Sequence, residues 1–338
     1  MGVTSKEIAQ FCGVSRGTVD RALHDKPGIR AETRTAILQA AAELGYVPDL
    51  IGRSLVRGRT MTLGVVVFNL KNPYFSQMLD AITERARQAG YAVMIMLSGQ
   101  SAENEFQAVR SLQERRVDGL IVHPVGCGTD YEAFLHKSRL PVVVVGNRLS
   151  ASFDFVSIAN APAAADATRW IIGRGYRRIL FVAPPLGKPG QVNLAAQLER
   201  QSGFLQVVQA QAVPHRVIIQ ADYLPELQVQ LAESSLPTAV LCSSDVFALE
   251  ILDVWRSGNR AGLMGFDHTG WLKYIHPRLT TVDNPVGEIG RQAVERLLER
   301  IQKPDLPGQE LVVPHQIIPG ETMPPVASLL IPGPSSSC

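Results

Sequence analysis

Between Ser15 and Leu23 lies a cluster of residues whose chemistry suits a duplex: Ser15, Arg16, Gly17, Thr18 and Arg21. An arginine fork matches the guanine edge in the major groove, and hydroxyls near a helix start reach phosphate oxygens. Ser15 is also a good N-cap, and Val19, Ala22 and Leu23 recur behind these polar positions at helical spacing. Upstream, Thr4 or Ser5 caps a short predicted helix over 4–11, with Ile8, Ala9 and Cys12 on one face. Ala9 is small where two helices would cross, and Gly13 permits a tight turn. Residues 5–24 thus carry a helix-turn-helix pattern with Ser15–Leu23 as the recognition helix, Thr4 lying at its leading edge. An ordinary pair of antiparallel helices shares that apolar spacing, and the outward arginines favour DNA.

The charge distribution agrees. The 338 residues carry a net +2, yet residues 1–60 hold nine Lys+Arg against six Asp+Glu, and the remainder is slightly acidic. Four widely spaced cysteines without CxxC spacing argue against a disulfide framework or structural zinc. The first 20 residues have charges and no apolar core of a signal peptide, so the expected compartment is the cytoplasm. No apolar run reaches the length of a membrane span, so no membrane partner is expected.

These residues need scaffolds of two kinds. A third helix is predicted from about Ala31 to Leu44, completing an all-α headpiece over 1–46. Residues 47–60 form a polar linker. From Met61 strand-sized apolar runs alternate with helices, in two series: Leu63–Phe68, Tyr91–Leu97, Gly119–His123 and Val142–Val145, then Arg178–Ala183, Arg216–Ile219, Thr238–Cys242 and Gly262–Phe266. Near-continuous Val/Ile/Leu runs bounded by helices predict parallel strands covered on both faces, in two doubly wound α/β halves with a ligand cleft between them. The first half is expected at about 61–160 plus 286–318, the second at about 161–285. The tail, 324–338, is proline- and serine-rich and expected to be disordered.

Residues 3–23 and Glu32–Pro48 resemble the headpiece of lactose-repressor-type (LacI family) bacterial transcription factors. The resemblance continues through VDGLIV (Val117–Val122), LPVVVVG (Leu140–Gly146), SDVFA (Ser244–Ala248), GFD (Gly265–Asp267) and LTTV (Leu279–Val282). It implies a repressor acting as a homodimer on a pseudo-palindromic operator, with a periplasmic-binding-protein-like core that senses a small molecule and needs no cofactor. It places Arg16 and Gly17 at the base-reading positions, matches Arg21 to the family arginine, and puts acidic Asp20 and Arg30 where serines are usual. It makes Pro48–Leu55 a hinge helix whose Leu55 wedges into the minor groove; a flexible tether is the competing reading.

In the core, Asn72-Pro73-Tyr74-Phe75 opens a helix at the C-terminal end of the first strand. The resemblance assigns Tyr74, Phe75 and Arg200 to effector contact. Tyr223 is a further candidate wall, and Ser244, Asp245 and Asp267 follow second-half strands on the cleft side. Arg200 and Asp267 suit hydroxyls and Trp271 suits a sugar face; together with what the resemblance implies, the expected effector is a carbohydrate or related polyol, with a purine-like ligand as competitor. The alternative for the aromatics is packing in a lid, and for His123, at a strand end, a structural role. A transport solute-binding protein would share the core but leave residues 1–60 without use. A sugar- or nucleotide-processing enzyme would need a catalytic constellation, and no GxxxxGK[ST], HExxH or GxSxG occurs. A non-enzymatic regulator is the expectation.

Overall fold

The structure is a computed structural model that describes residues 3–47, 58–185, 187, 192–255 and 261–329. The predicted hinge helix, Leu55 included, and the end of the tail lie outside these residues. The chain forms two compact units, Met1–Thr60 and Met61–Cys338.

In the first unit, α1 (Ser5–Phe11), α2 (Arg16–Leu23) and α3 (Ala31–Glu43) enclose a small core. Ile8, Val19 and Ile37 are fully buried, with Ala9, Ala22 and Ala41 filling the space between them. Alanine at these crossings lets short helices approach closely enough to exclude water with few side chains. Gly13, at φ +64°, makes the turn between α1 and α2 in a conformation that penalises a Cβ. Thr4 and Glu7 cap α1 reciprocally and Ser15 caps α2, whereas Arg30 at the start of α3 makes no side-chain cap bond.

The second unit runs β1 (Thr62–Val67), α4 (Pro73–Gln88), β2 (Ala92–Leu97), α5 (Ala102–Glu114), β3 (Gly119–Val122), α6 (Gly128–Lys137), β4 (Val142–Val145) and β5 (Asp154–Ser157). It continues through α7 (Asn160–Gly173), β6 (Arg178–Val182), α8 (Ala195–Ala210), β7 (His215–Ile218), α9 (Leu224–Ala232), β8 (Thr238–Cys242), α10 (Asp245–Trp255), β9 (Gly262–Asp267) and β10 (Thr280–Asp283). It closes with α11 (Val286–Gln302), β11 (Glu310–Val312), β12 (Gln316–Ile318) and α12 (Val326–Leu329).

The strands form two sheets, ordered β11-β5-β4-β3-β1-β2 and β12-β10-β9-β8-β6-β7. The first is parallel throughout; the second is parallel apart from β12, which runs antiparallel to β10 with Val282 opposite Ile317. β3, β4 and β8 are buried along their whole length, as covering helices on both faces require. In each sheet the order reverses beside the first strand, at β1/β3 and at β6/β8, and a crevice opens at the C-terminal strand ends where an order reverses.

Two boundaries differ from expectation. Residues 286–318 do not all belong to the first half: β11 extends the first sheet, but β12 joins the second, and Thr322 and Met323 pack there too, against Leu263 and Gly262. The predicted disordered tail is ordered at its start. Tyr176 Oη donates to Pro324 O at 2.9 Å, Val326 N–H donates to Arg174 O at 2.9 Å, and Val326 is buried. No helix among the described residues is long and apolar enough to cross a membrane.

Candidate functional site

On the first unit, α2 presents Arg16, Gly17 and Arg21 to solvent, with Thr18 half-buried. Ser15 Oγ accepts the Thr18 N–H at 3.1 Å and lies 2.9 Å from Thr18 Oγ1, so both hydroxyls are ordered at the helix start. Arg16 Nε donates to Ser5 Oγ at 3.2 Å, which ties its guanidinium to α1. Thr4 is exposed, with its hydroxyl donating to Glu7 at 2.9 Å. Asp20 has a local answer to its charge: Lys26 Nζ and His24 Nδ1 both lie 2.9 Å from its carboxylate. The Lys26 ammonium also holds the Asp20 carboxyl below its ordinary range.

The second unit contains a cavity of about 320 Å³ at the reversal points of its two sheets. Tyr74, Phe75 and His123 form its first-half wall, with the Phe75 and His123 rings edge-to-face at 4.9 Å. Their close approach depends on Gly146 (φ +73°), where a Cβ would strike the His123 ring. Burial pushes the His123 imidazole down to about 4, so its ring is neutral at physiological pH.

The second half supplies the polar centre. Arg200, on α8, is buried and donates through Nε to Asn160 Oδ1 (2.9 Å) and through Nη1 to Ser243 O (2.6 Å) and Asp267 Oδ1 (3.2 Å). Its guanidinium lies 3.8 Å from the centroid of the Phe266 ring. Asp267 also accepts from Ser244 Oγ at 2.9 Å and from Asn284 Nδ2 at 3.4 Å. Burial raises the Asp267 carboxyl, and Arg200 and these donors oppose that rise. Asp267 and His268 sit at φ +116° and +52°, strained for residues with a Cβ, so the turn after β9 is held by its surroundings. The five N–H groups of a guanidinium exceed the three acceptors that Arg200 meets among the described residues, leaving donors for a ligand beside the Asp267 carboxylate.

The structure thus gathers Tyr74, Phe75, His123, Arg200, Ser244 and Asp267 around one space. Three expected contacts are corrected. Asp245 lies behind the wall: its carboxylate accepts from Thr269 N–H (2.9 Å) and Thr281 Oγ1 (2.6 Å), and burial with the nearby Asp267 charge pushes it up to about 7. Tyr223 is buried in a separate apolar cluster beside Leu227 and Phe247, with its hydroxyl donating to Glu250. Trp271 is 60% exposed on the 3-10 turn Gly270–Tyr274 and does not line the cavity. Each stands near a strand end in sequence, but the side chain leaves on another face.

Polar cavity residues that sequence reasoning missed are chiefly amides: Asn69, Asn72, Asn147, Asn160 and Gln197. An Asn beside a strand end reads first as a turn residue, and only the reversal in strand order shows which turns face the crevice. His123 Nδ1, Asn160 Nδ2 and Gln197 Oε1 are buried and have no hydrogen-bond partner among the described residues.

Residues 4–49 match the family model for bacterial regulatory proteins of the lacI family, and residues 168–323 match a periplasmic binding protein-like domain. The transcriptional repressor CytR of Escherichia coli (strain K12) is 30% identical over 336 residues, covering 94% of this chain and 96% of its own. The chain belongs to the lacI family. As a lacI-family member it is a DNA-binding transcriptional regulator with an effector-sensing core. Catabolite control protein A of Priestia megaterium is 27% identical over 330 residues, covering 94% of this chain and 98% of its own. Among solved structures, the lac repressor dimer bound to operator and the anti-inducer ONPF shares the fold at a TM-score of 0.83 and 24% identity, covering 96% of this chain and all of that one. The lac repressor bound to ONPG in the repressed state aligns at a TM-score of 0.82 and 25% identity, over 95% of this chain and all of that one.

Proposed function

We propose that this chain works in the cytoplasm as a homodimeric, operator-binding repressor whose core cleft takes an uncharged, hydroxyl-rich effector of the carbohydrate class. The observation that carries the ligand class is the polar lining of the cavity, where His123 and the amides of Asn160 and Gln197 stand beside the Arg200–Asp267 pair. Ligand hydroxyls, which both donate and accept, suit a lining of amide and guanidinium groups. The buried charges match an uncharged ligand, because His123 is neutral and Arg200 is balanced by Asp267, while exposed Lys71 adds a positive charge to the lining. Tyr74, Phe75 and Phe247 provide apolar walls for the ring faces.

Arg16, Gly17 and Arg21 would read bases, with Thr4, Ser15 and Thr18 orienting the phosphate backbone. Leu55 would act as the minor-groove wedge. The effector would act by binding two arrangements of the core halves unequally, and so biasing the DNA-binding state. Thermal-shift titration of the full chain with neutral monosaccharides and disaccharides, sugar phosphates and nucleobases tests the ligand class. A stabilising shift from a neutral sugar, lost in Arg200→Ala, is expected; shifts from nucleobases alone would overturn the carbohydrate assignment.

A further inference from the structure

We propose that Asn147 of the first half is the N-cap of α8 in the second half, and that it thereby positions Gln197 and Arg200 only while the two halves are together. Leu194 occupies the cap position of α8 and has no side chain able to accept a hydrogen bond. A helix start needs such acceptors, because its first N–H groups have no partner within the helix. Two amides supply them. Asn193 Oδ1 accepts the Ala195 N–H at 3.0 Å from the same segment, while Asn147 Oδ1 accepts the Ala196 N–H at 3.1 Å from the loop that follows β4.

The same Asn147 amide fastens the loops of both halves. Its Nδ2 donates to Pro124 O at 3.1 Å and to Asn193 O at 3.0 Å. Asn193 returns two bonds, from its N–H to Val125 O (2.8 Å) and from its Nδ2 to Arg148 O (3.0 Å). Farther along α8, Glu199 lies 3.5 Å from Arg148. Separation of the halves therefore removes the cap from α8 in the same motion. Gln197 follows Ala196 directly, and Arg200 lies one helical turn beyond it, so the geometry of both depends on the order of this first turn.

The effector role of Gln197 and Arg200 rests on the proposed function, but the cap does not need a ligand to be tested. Hydrogen exchange of the full-length chain, without ligand, would follow the peptide spanning 194–201 in the native sequence, Asn147→Ala and Asn147→Asp. The alanine variant should exchange there about fivefold faster, the factor that corresponds to the ~1 kcal/mol of an N-cap, with β1 and β6 unchanged. The aspartate variant keeps an acceptor at the helix start and should restore protection. Unchanged exchange in Asn147→Ala overturns the proposal, as does an aspartate variant as unprotected as the alanine one. If the alanine variant loses protection throughout, the aspartate variant alone decides by the same criterion. Failure of every sugar to bind would remove the effector reading and leave this result standing.

Discussion

Arg200 carries more of the core's polar organisation than its single charge suggests, since it joins α7, the end of β8 and the end of β9 through one buried guanidinium. Its loss leaves Asp267 buried without its cation, so Arg200→Met should destabilise the core by about 3–5 kcal/mol in urea unfolding, and adding Asp267→Asn should recover part of that. Asp245 gives a different signature. Its carboxyl titrates near 7 in the fold and near the ordinary carboxylate value when unfolded, so the unfolded chain loses that proton first. The resulting contribution falls as pH rises from about 4 to 7 and is level beyond it. Asp245→Asn should flatten that part of the stability–pH curve; an unchanged slope would count against the assignment. The arginines of α2 and the Asp267 carboxylate were legible in the sequence because each belongs to a short local motif. Asp245, Tyr223 and Trp271 were misplaced because proximity to a strand end does not say which face a side chain leaves from.

The helices and strands were most legible where hydrophobic period and length agreed. β1, β3, β4 and β8 are continuous apolar runs, and α4 and α5 have clear apolar faces. β5 was harder to see because it begins at Asp154, a fully buried carboxylate that accepts from Arg296 Nε at 2.8 Å, from Gln309 N–H at 2.9 Å and from Arg300. β10 was hidden by Thr280 and Thr281, whose hydroxyls are buried as partners of Gly320 N–H and Asp245. The three-residue strands β11 and β12 are too short to show a period, and the sequence marks them only as strand candidates near Leu311–Ile318. The packing of α7 on α8 turns on Gly203, where a Cβ would collide with the Ala161 carbonyl. Gly203→Ala should therefore cost about 3 kcal/mol, read as a lower urea midpoint, although alanine is the better helix former.

As a regulator, the whole chain should respond to salt in two distinct ways. Operator affinity depends on phosphate neutralisation and counterion release, so a complex with 6–10 phosphate contacts should weaken roughly 10³–10⁵-fold between about 50 and 200 mM salt, measured by fluorescence anisotropy. Binding of an uncharged sugar in the cleft should change little over the same range. Arg16→Ala should cost about 1–3 kcal/mol of operator affinity and relax base choice at one position of each half-site, in a binding-site selection assay. The two-part organisation was legible from charge and texture, because the headpiece is built from local contacts and the core from repeated strand–helix units. The division of the core was not, because β11 and β12 are separated by only a few residues and enter different sheets.

That late divergence bears on how the core can be dissected. The chain passes from one sheet to the other after β5, returns after β10, and passes over again after β11. Each half takes its last strand from the C-terminal stretch, so no single cut yields a fragment holding one complete sheet. Expression of either half alone requires splicing distant segments, and a protease nick between β5 and α7 should leave two pieces that remain associated in native solution.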